Sequence, residues 1–140
     1  MKKRGILNRD LSSLLARIGH GDVLAIVDSG FPVPENVQCV DLSITIGKPS
    51  IFEVLDPIIE ELEIEKVILA SEIKDVSPRY HQKLLEHLPE NVEIEYVPHH
   101  EAFKKIINEQ SKGIVRTGEK VSYSSIILIG GVTYHGDMTW

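Results

Sequence analysis

Residues 19–34, "GHGDVLAIVDSGFPVP", carry two side chains suited to chemistry, His20 and Asp28, each at the end of an apolar pattern. Asp28 closes the run "VLAIVD", which reads as a strand buried on both faces. Open α/β sheets bind ligands beyond the carboxyl ends of their strands, where loops line the crevice. A carboxylate held there accepts two hydroxyl hydrogen bonds, which suits a sugar diol; the same aspartate also reads as a cap on its own turn. In the loop behind it Gly30 permits an unusual backbone angle, while Pro32 and Pro34 stiffen the chain. His20 follows a helical pattern near its carboxyl end, where the dipole favours a protonated imidazole, the form a general acid needs. A lone histidine in such a turn reads equally well as a surface or capping residue.

Two further stretches are polar enough to matter. "PHHEAFKK" places His99 and His100 between a strand and a helix. Adjacent histidines diverge, and the chain has neither HExxH nor a Cys/His cluster, so no metal is expected; one of the pair fits a polar site residue better. "RTGEKVSYSS" lacks the Gly-Lys-Ser/Thr ending of a phosphate loop, and the chain has no GxGxxG. Tyr123, Ser124 and Ser125 there supply hydroxyls for a neutral polar ligand, or form an ordinary strand-entry turn.

These residues need a scaffold. Leu11, Leu14, Leu15 and Ile18 keep the spacing of an amphipathic helix, with Asn8 or Asp10 as cap and Gly19 ending it in a left-handed turn. Strands are expected at 23–28, 37–44, 66–71 and 92–97, and in "GIVRTG" and "SSIILIGGV". Between them come a helix from Ser50 that Pro57 bends or interrupts, one capped by Ser77 with Pro78 at its first position, and one over "HEAFKKIINEQ". Alternation of this kind predicts a three-layer α/β/α single domain with a mainly parallel sheet. No boundary divides residues 1–140, of which 135–140 read as a short C-terminal extension.

Composition narrows the class. A formal charge of -6 lacks the basic face that nucleic acid requires, and the scattered Lys and Arg suit no anionic membrane. Cys39 is the only cysteine, so no intrachain disulfide forms and a reducing cytoplasm is the expected compartment. No apolar run approaches the ~20 residues of a membrane span.

At this point the chain resembles a known family. "KRGILNRDLSSLLARIGHGDVLAIVDSGFPVP", "DLSITIGKPS", "EKVILASEIK", "HEAFKK", "VRTGE" and "SSIILIGGV" are similar, in order and spacing, to the ribose pyranase and fucose mutarotase family, from Lys3 to about Tyr134. "DLSITIGKPS" and "SEIK" are closer to its ribose branch. The resemblance implies an isomerase that exchanges the pyranose and furanose forms of D-ribose without a cofactor. It implies ring-shaped homo-oligomers, pentamer-based and decameric, with sites at clefts between subunits. By the same resemblance His20 matches the catalytic acid and Asp28 a sugar-binding aspartate. The family's single histidine aligns with His100, and its Tyr-Ala-Asn becomes Tyr123-Ser124-Ser125, a departure that replaces an amide with one hydroxyl. Nearby alternatives are an L-fucose mutarotase and a cytosolic sugar-binding module without catalysis.

Ring exchange requires opening and reclosure by a different hydroxyl. The ring oxygen is protonated while a base takes the anomeric proton, and help of this kind typically contributes about 10²–10⁴-fold. No metal, phosphate cradle or covalent nucleophile is needed. Geometry adds one expectation. If residues 23–28 form one straight strand, His20 and Asp28 lie near its opposite ends, and eight residues at about 3.3 Å each separate them by roughly 25 Å. One pentose cannot bridge that distance, so the two are expected from different subunits unless the chain curls before Val23.

Overall fold

Val23–Val27, buried at every position, forms strand β1 near the middle of the sheet, as an unbroken apolar run requires. The computed structural model describes residues 1–134, 136 and 137. Side chains alternate across β1. Leu24 and Ile26 enter one core layer with Leu14, Leu55 and Ile58, whereas Ala25 and Val27 enter the other with Phe103 and Ile107. Helices therefore cover both faces, giving the three-layer α/β/α arrangement.

The first helix, α1 (Arg9–Leu15), begins where Asn8 accepts the Leu11 N–H at 2.9 Å. It stops at Leu15, with Ala16 still right-handed, so Gly19 does not end it; Gly21 is the left-handed residue, at φ 82°. Gly19 abuts the strand end at Gly130, where an added Cβ would sit 2.5 Å from the Gly19 carbonyl oxygen. Strand β2 is only Cys39–Asp41, shorter than expected. Beyond it the chain turns between Thr45 and Lys48, and Ile44 and Ile46 stand exposed.

Helix α2 (Ile51–Glu61) starts with a reciprocal capping box between Ser50 and Glu53 and runs through Pro57 without interruption. Its buried stripe of Ile51, Val54, Leu55 and Ile58 outweighs one missing donor. β3 (Ile64–Ala70) is followed by α3 (Ile73–Val76) and α4 (Pro78–His87). Ser77 precedes Pro78 as expected, yet its side chain makes no cap bond; it reaches the Ser122 carbonyl instead. Half-exposed β4 (Glu93–Val97) leads into a wide helical turn, His99–Phe103, in which the Phe103 N–H donates to the Pro98 carbonyl five residues back. Helix α5 (Lys104–Gln110), β5 (Ser111–Arg116) and β6 (Ile126–Gly130) complete the order.

The sheet runs β2-β5-β1-β6-β3-β4. β5 is parallel to β1 and β2, and β3 is parallel to β4, whereas β6 lies antiparallel between β1 and β3. This one reversed strand positions the site. Ile126 pairs with Ile26 and Leu69, so residues just before β6 emerge at the edge where β1 and β3 end. Gly130, at its far end, returns to the edge where β1 begins.

Of the expected 135–140 extension, His135, Met138, Thr139 and Trp140 lie outside the described residues.

Candidate active site

Asp28 leaves β1 and turns at once. Its Oδ1 accepts the Gly30 N–H at 3.0 Å, and Phe31 N–H reaches back to the Asp28 carbonyl at 3.3 Å. Its other oxygen, Oδ2, accepts the Ser125 hydroxyl at 2.7 Å, while that same hydroxyl oxygen accepts the Asp28 N–H at 2.9 Å. The carboxylate is thus both a turn cap and a fixed acceptor. A carboxylate has about four lone-pair positions. The protein uses one on each oxygen, which leaves about two for a ligand.

Asp28 lines a cavity of about 480 Å³ with Phe31, His99, His100, Lys104 and Tyr123 among its walls. His99 stacks on Phe103 at 5.6 Å and meets the rings of Tyr123, at 5.1 Å, and His100, at 4.9 Å, edge to face. Its backbone N–H donates to the Glu72 carboxylate at 3.1 Å. Burial, then the charges of His100 and Lys104, hold the His99 imidazole below its ordinary 6.5, so the ring is neutral at pH 7. The wall offers a neutral imidazole, a phenol and a carboxylate around a space ample for a pentose.

The "VRTGE" turn is the frame of this cavity rather than a phosphate loop. Arg116 donates to Asp41, Ser43 and the Ser29 carbonyl. The Thr117 hydroxyl donates to the Val27 carbonyl at 2.9 Å, and Gly118 N–H to that of Pro49 at 2.9 Å. Glu119, buried, takes the Ile51 N–H on one oxygen and those of Lys120 and Val121 on the other. Its carbonyl accepts both the N–H and the hydroxyl of Ser29, each at 2.9 Å.

Ser124 and Ser125 are fully buried behind the wall and do not line the cavity. The Ser125 hydroxyl is occupied by Asp28, and the Ser124 carbonyl accepts the Tyr80 hydroxyl at 3.2 Å. Of this trio only Tyr123 faces the ligand space. His20 is elsewhere. It sits at the tip of a turn in which Gly19 N–H meets Asp22 Oδ2 at 2.8 Å and Gly21 N–H meets the Gly130 carbonyl at 2.8 Å. That turn lies at the opposite sheet edge, and His20 lines a separate cavity of about 390 Å³ with Ile18, Glu61, Gly131 and Tyr134. The helix dipole does not reach it, since α1 ends at Leu15 and the effect fades within the last turn. Glu65 on β3 is its partner instead, with Oε2 2.9 Å from Nε2, an ion pair when the ring is protonated.

Residues 1–133 match the family described as RbsD / FucU transport protein family. The chain belongs to that family. It is 66% identical over 137 residues to a D-ribose pyranase of Pseudothermotoga lettingae, covering 98% of this chain and 96% of that protein. A D-ribose pyranase of Thermotoga maritima is 45% identical over 137 residues, covering 96% of this chain and all of the relative. Among solved structures, Bacillus subtilis RbsD complexed with D-ribose superimposes with a TM-score of 0.89 at 40% identity, covering 96% of this chain and 100% of the other. A fucose mutarotase from Streptococcus pneumoniae in complex with L-fucose has a TM-score of 0.72 at 24% identity, covering 91% and 95%, and shares the fold.

Within this RbsD/FucU chain, sequence reasoning singled out Asp28, His100 and Tyr123, and all three line one cavity. Phe31 and Lys104 carry no such mark in the sequence, and the resemblance points to His100 of the histidine pair, yet His99 lines the cavity as well. For Phe31 the available signal is only an aromatic ring three residues beyond Asp28 in the same stiffened loop. Nothing local marks Lys104.

Proposed function

We propose that this RbsD/FucU protein is an isomerase that interconverts the pyranose and furanose forms of D-ribose by acid–base ring opening and reclosure. The observation that carries the reading is the Asp28 cavity, with about two acceptor positions free on a locked carboxylate, in a chain similar over nearly its whole length to D-ribose pyranases. Asp28 binds two ribose hydroxyls, with His100 and Tyr123 on the remaining polar edges. Ser125 acts through Asp28, and the Ser124 carbonyl, bonded to Tyr80, holds the segment behind the wall.

His20 donates a proton to the ring oxygen as the C1–O bond breaks, while water or a bound hydroxyl takes the anomeric proton. Rotation of the open aldehyde presents a different hydroxyl, and closure returns both protons. The Glu65 carboxylate steadies the imidazolium between these steps. Since His20 and Asp28 line separate cavities of one chain, each site takes its acid from a neighbouring protomer. A closed ring of head-to-tail contacts satisfies that requirement, and two stacked pentameric rings give a decamer. We place the protein in the cytoplasm, consistent with its single, free cysteine. Among the described residues no helix is long and apolar enough to cross a membrane.

Exchange NMR at low protein concentration tests the reading. Pyranose and furanose signals of D-ribose should exchange faster with the protein present, and His20→Ala should reduce the rate by about 10²–10⁴-fold. Acceleration confined to L-fucose, or saturable ribose binding without acceleration, contradicts it.

A further inference from the structure

Tyr123 holds its ring in the cavity from a backbone at φ 57°. That left-handed region is costly for a residue with a side chain and persists only where the surroundings over-determine it. Here the determinants come from outside the cavity. Ser77 has the position of a helix cap but spends its hydroxyl on the Ser122 carbonyl, at 2.8 Å. Tyr80, three residues further along, donates its hydroxyl to the Ser124 carbonyl at 3.2 Å. The first bond fixes the peptide entering Tyr123, and the second fixes the peptide leaving Ser124. On the other side, Ser125 is tied to Asp28. The four-residue segment 122–125 is therefore pinned at three points around one strained residue.

The anchors are placed by the helices around them. Tyr80 packs on Phe52 with ring centroids 5.0 Å apart. Burial and the nearby Glu119 raise the cost of ionising its phenol, so it stays a donor. Ser77 links α3 to α4, one residue after the former ends and one before the latter begins. Neither residue lines the ligand cavity.

The geometry points to Ser77 and Tyr80 as positioning residues for sugar recognition, clamping the carbonyls on both sides of Tyr123 so that its ring stays in the cavity. The inference rests on the ribose reading for its functional consequence, though not for the clamp itself. Ser77→Ala and Tyr80→Phe each remove one oxygen and keep the packing.

Two readouts are needed, amide hydrogen exchange without sugar and the steady-state constants for ribose ring exchange. Each single variant should raise KM about two- to tenfold, and the double variant should raise it further, with kcat near the wild-type value. Amide exchange should quicken at residues 123–125 while the β1 amides stay protected, and Ser77→Thr should behave like wild type. A folded double variant with wild-type KM overturns the inference, as does a Ser77→Thr protein as impaired as Ser77→Ala. If the wild-type protein neither binds ribose nor accelerates its exchange, the proposed function fails. The amide data then decide the clamp alone, and unchanged exchange at 123–125 refutes it.

Discussion

Asp28 divides its acceptor capacity between the protein and the open cavity. One position on each oxygen is taken by Gly30 and Ser125, and the remainder faces the cavity. Ser125→Ala removes a donor that holds the carboxylate and leaves the Asp28 N–H without its acceptor. The loss should weaken ribose binding by about 1 kcal/mol, roughly a fivefold rise in KM, with little change in kcat. Titration of D-ribose by calorimetry or exchange NMR checks it.

His99 sets a pH dependence. Its imidazole is held below 6.5 in the fold, so below that pH the unfolded chain takes up a proton before the native protein does. The unfolded state then binds more protons, and stability rises with pH through that window and is complete above it. His81, lowered by burial and by Lys74, adds in the same direction. Urea unfolding should show midpoints falling as pH drops below about 6.5, and His99→Gln should flatten that limb. Asp28 was legible because a carboxylate at a strand's carboxyl end has a positional meaning. The task of Ser125 was not, because its partner lies 97 residues away in sequence.

At the scale of elements, the reversed strand β6 governs the site. Running antiparallel between β1 and β3, it delivers Tyr123 to the edge where Asp28 emerges. Apolar periodicity identified β6 as a strand but says nothing of direction, since a fully buried strand reads the same both ways. The helices were easier, their starts marked by the cap candidates Asn8 or Asp10 and by Ser50, of which the structure uses Asn8 and Ser50. Pro57 does not interrupt α2, because burial of one face of that helix outweighs a local preference.

Gly118 fixes the neighbouring loop. A Cβ there would lie 2.3 Å from the Lys48 carbonyl oxygen and 2.5 Å from that of Thr45, both backbone atoms. Gly118→Ala should therefore push away the 45–49 loop that brings Ile46 to the cavity. The expected cost is about 1–3 kcal/mol, read as a lower unfolding midpoint together with weaker ribose binding. A variant with wild-type stability and affinity contradicts that close approach.

Considered as a whole, the chain presents His20 at one sheet edge and the Asp28 cavity at the other. The five residues of β1 separate them, at about 3.3 Å each. The tight turn at residues 19–22 ties Gly21 and Asp22 to Gly130 and leaves His20 beside Glu65, away from Asp28. Spacing left open whether the chain curls before Val23, and the surfaces that join protomers were not legible, because packing between chains leaves no periodic mark in one sequence. In the proposed assembly, His20 of one protomer serves the Asp28 cavity of the next. Co-assembly of His20→Ala with Asp28→Ala chains tests it most directly. Each variant alone should be nearly inactive in ribose exchange NMR, and an equal mixture should recover about a quarter of wild-type activity, since random assembly restores both residues at one site in four. Mixed assemblies as inactive as either parent, or a fully active monomer, contradict the claim.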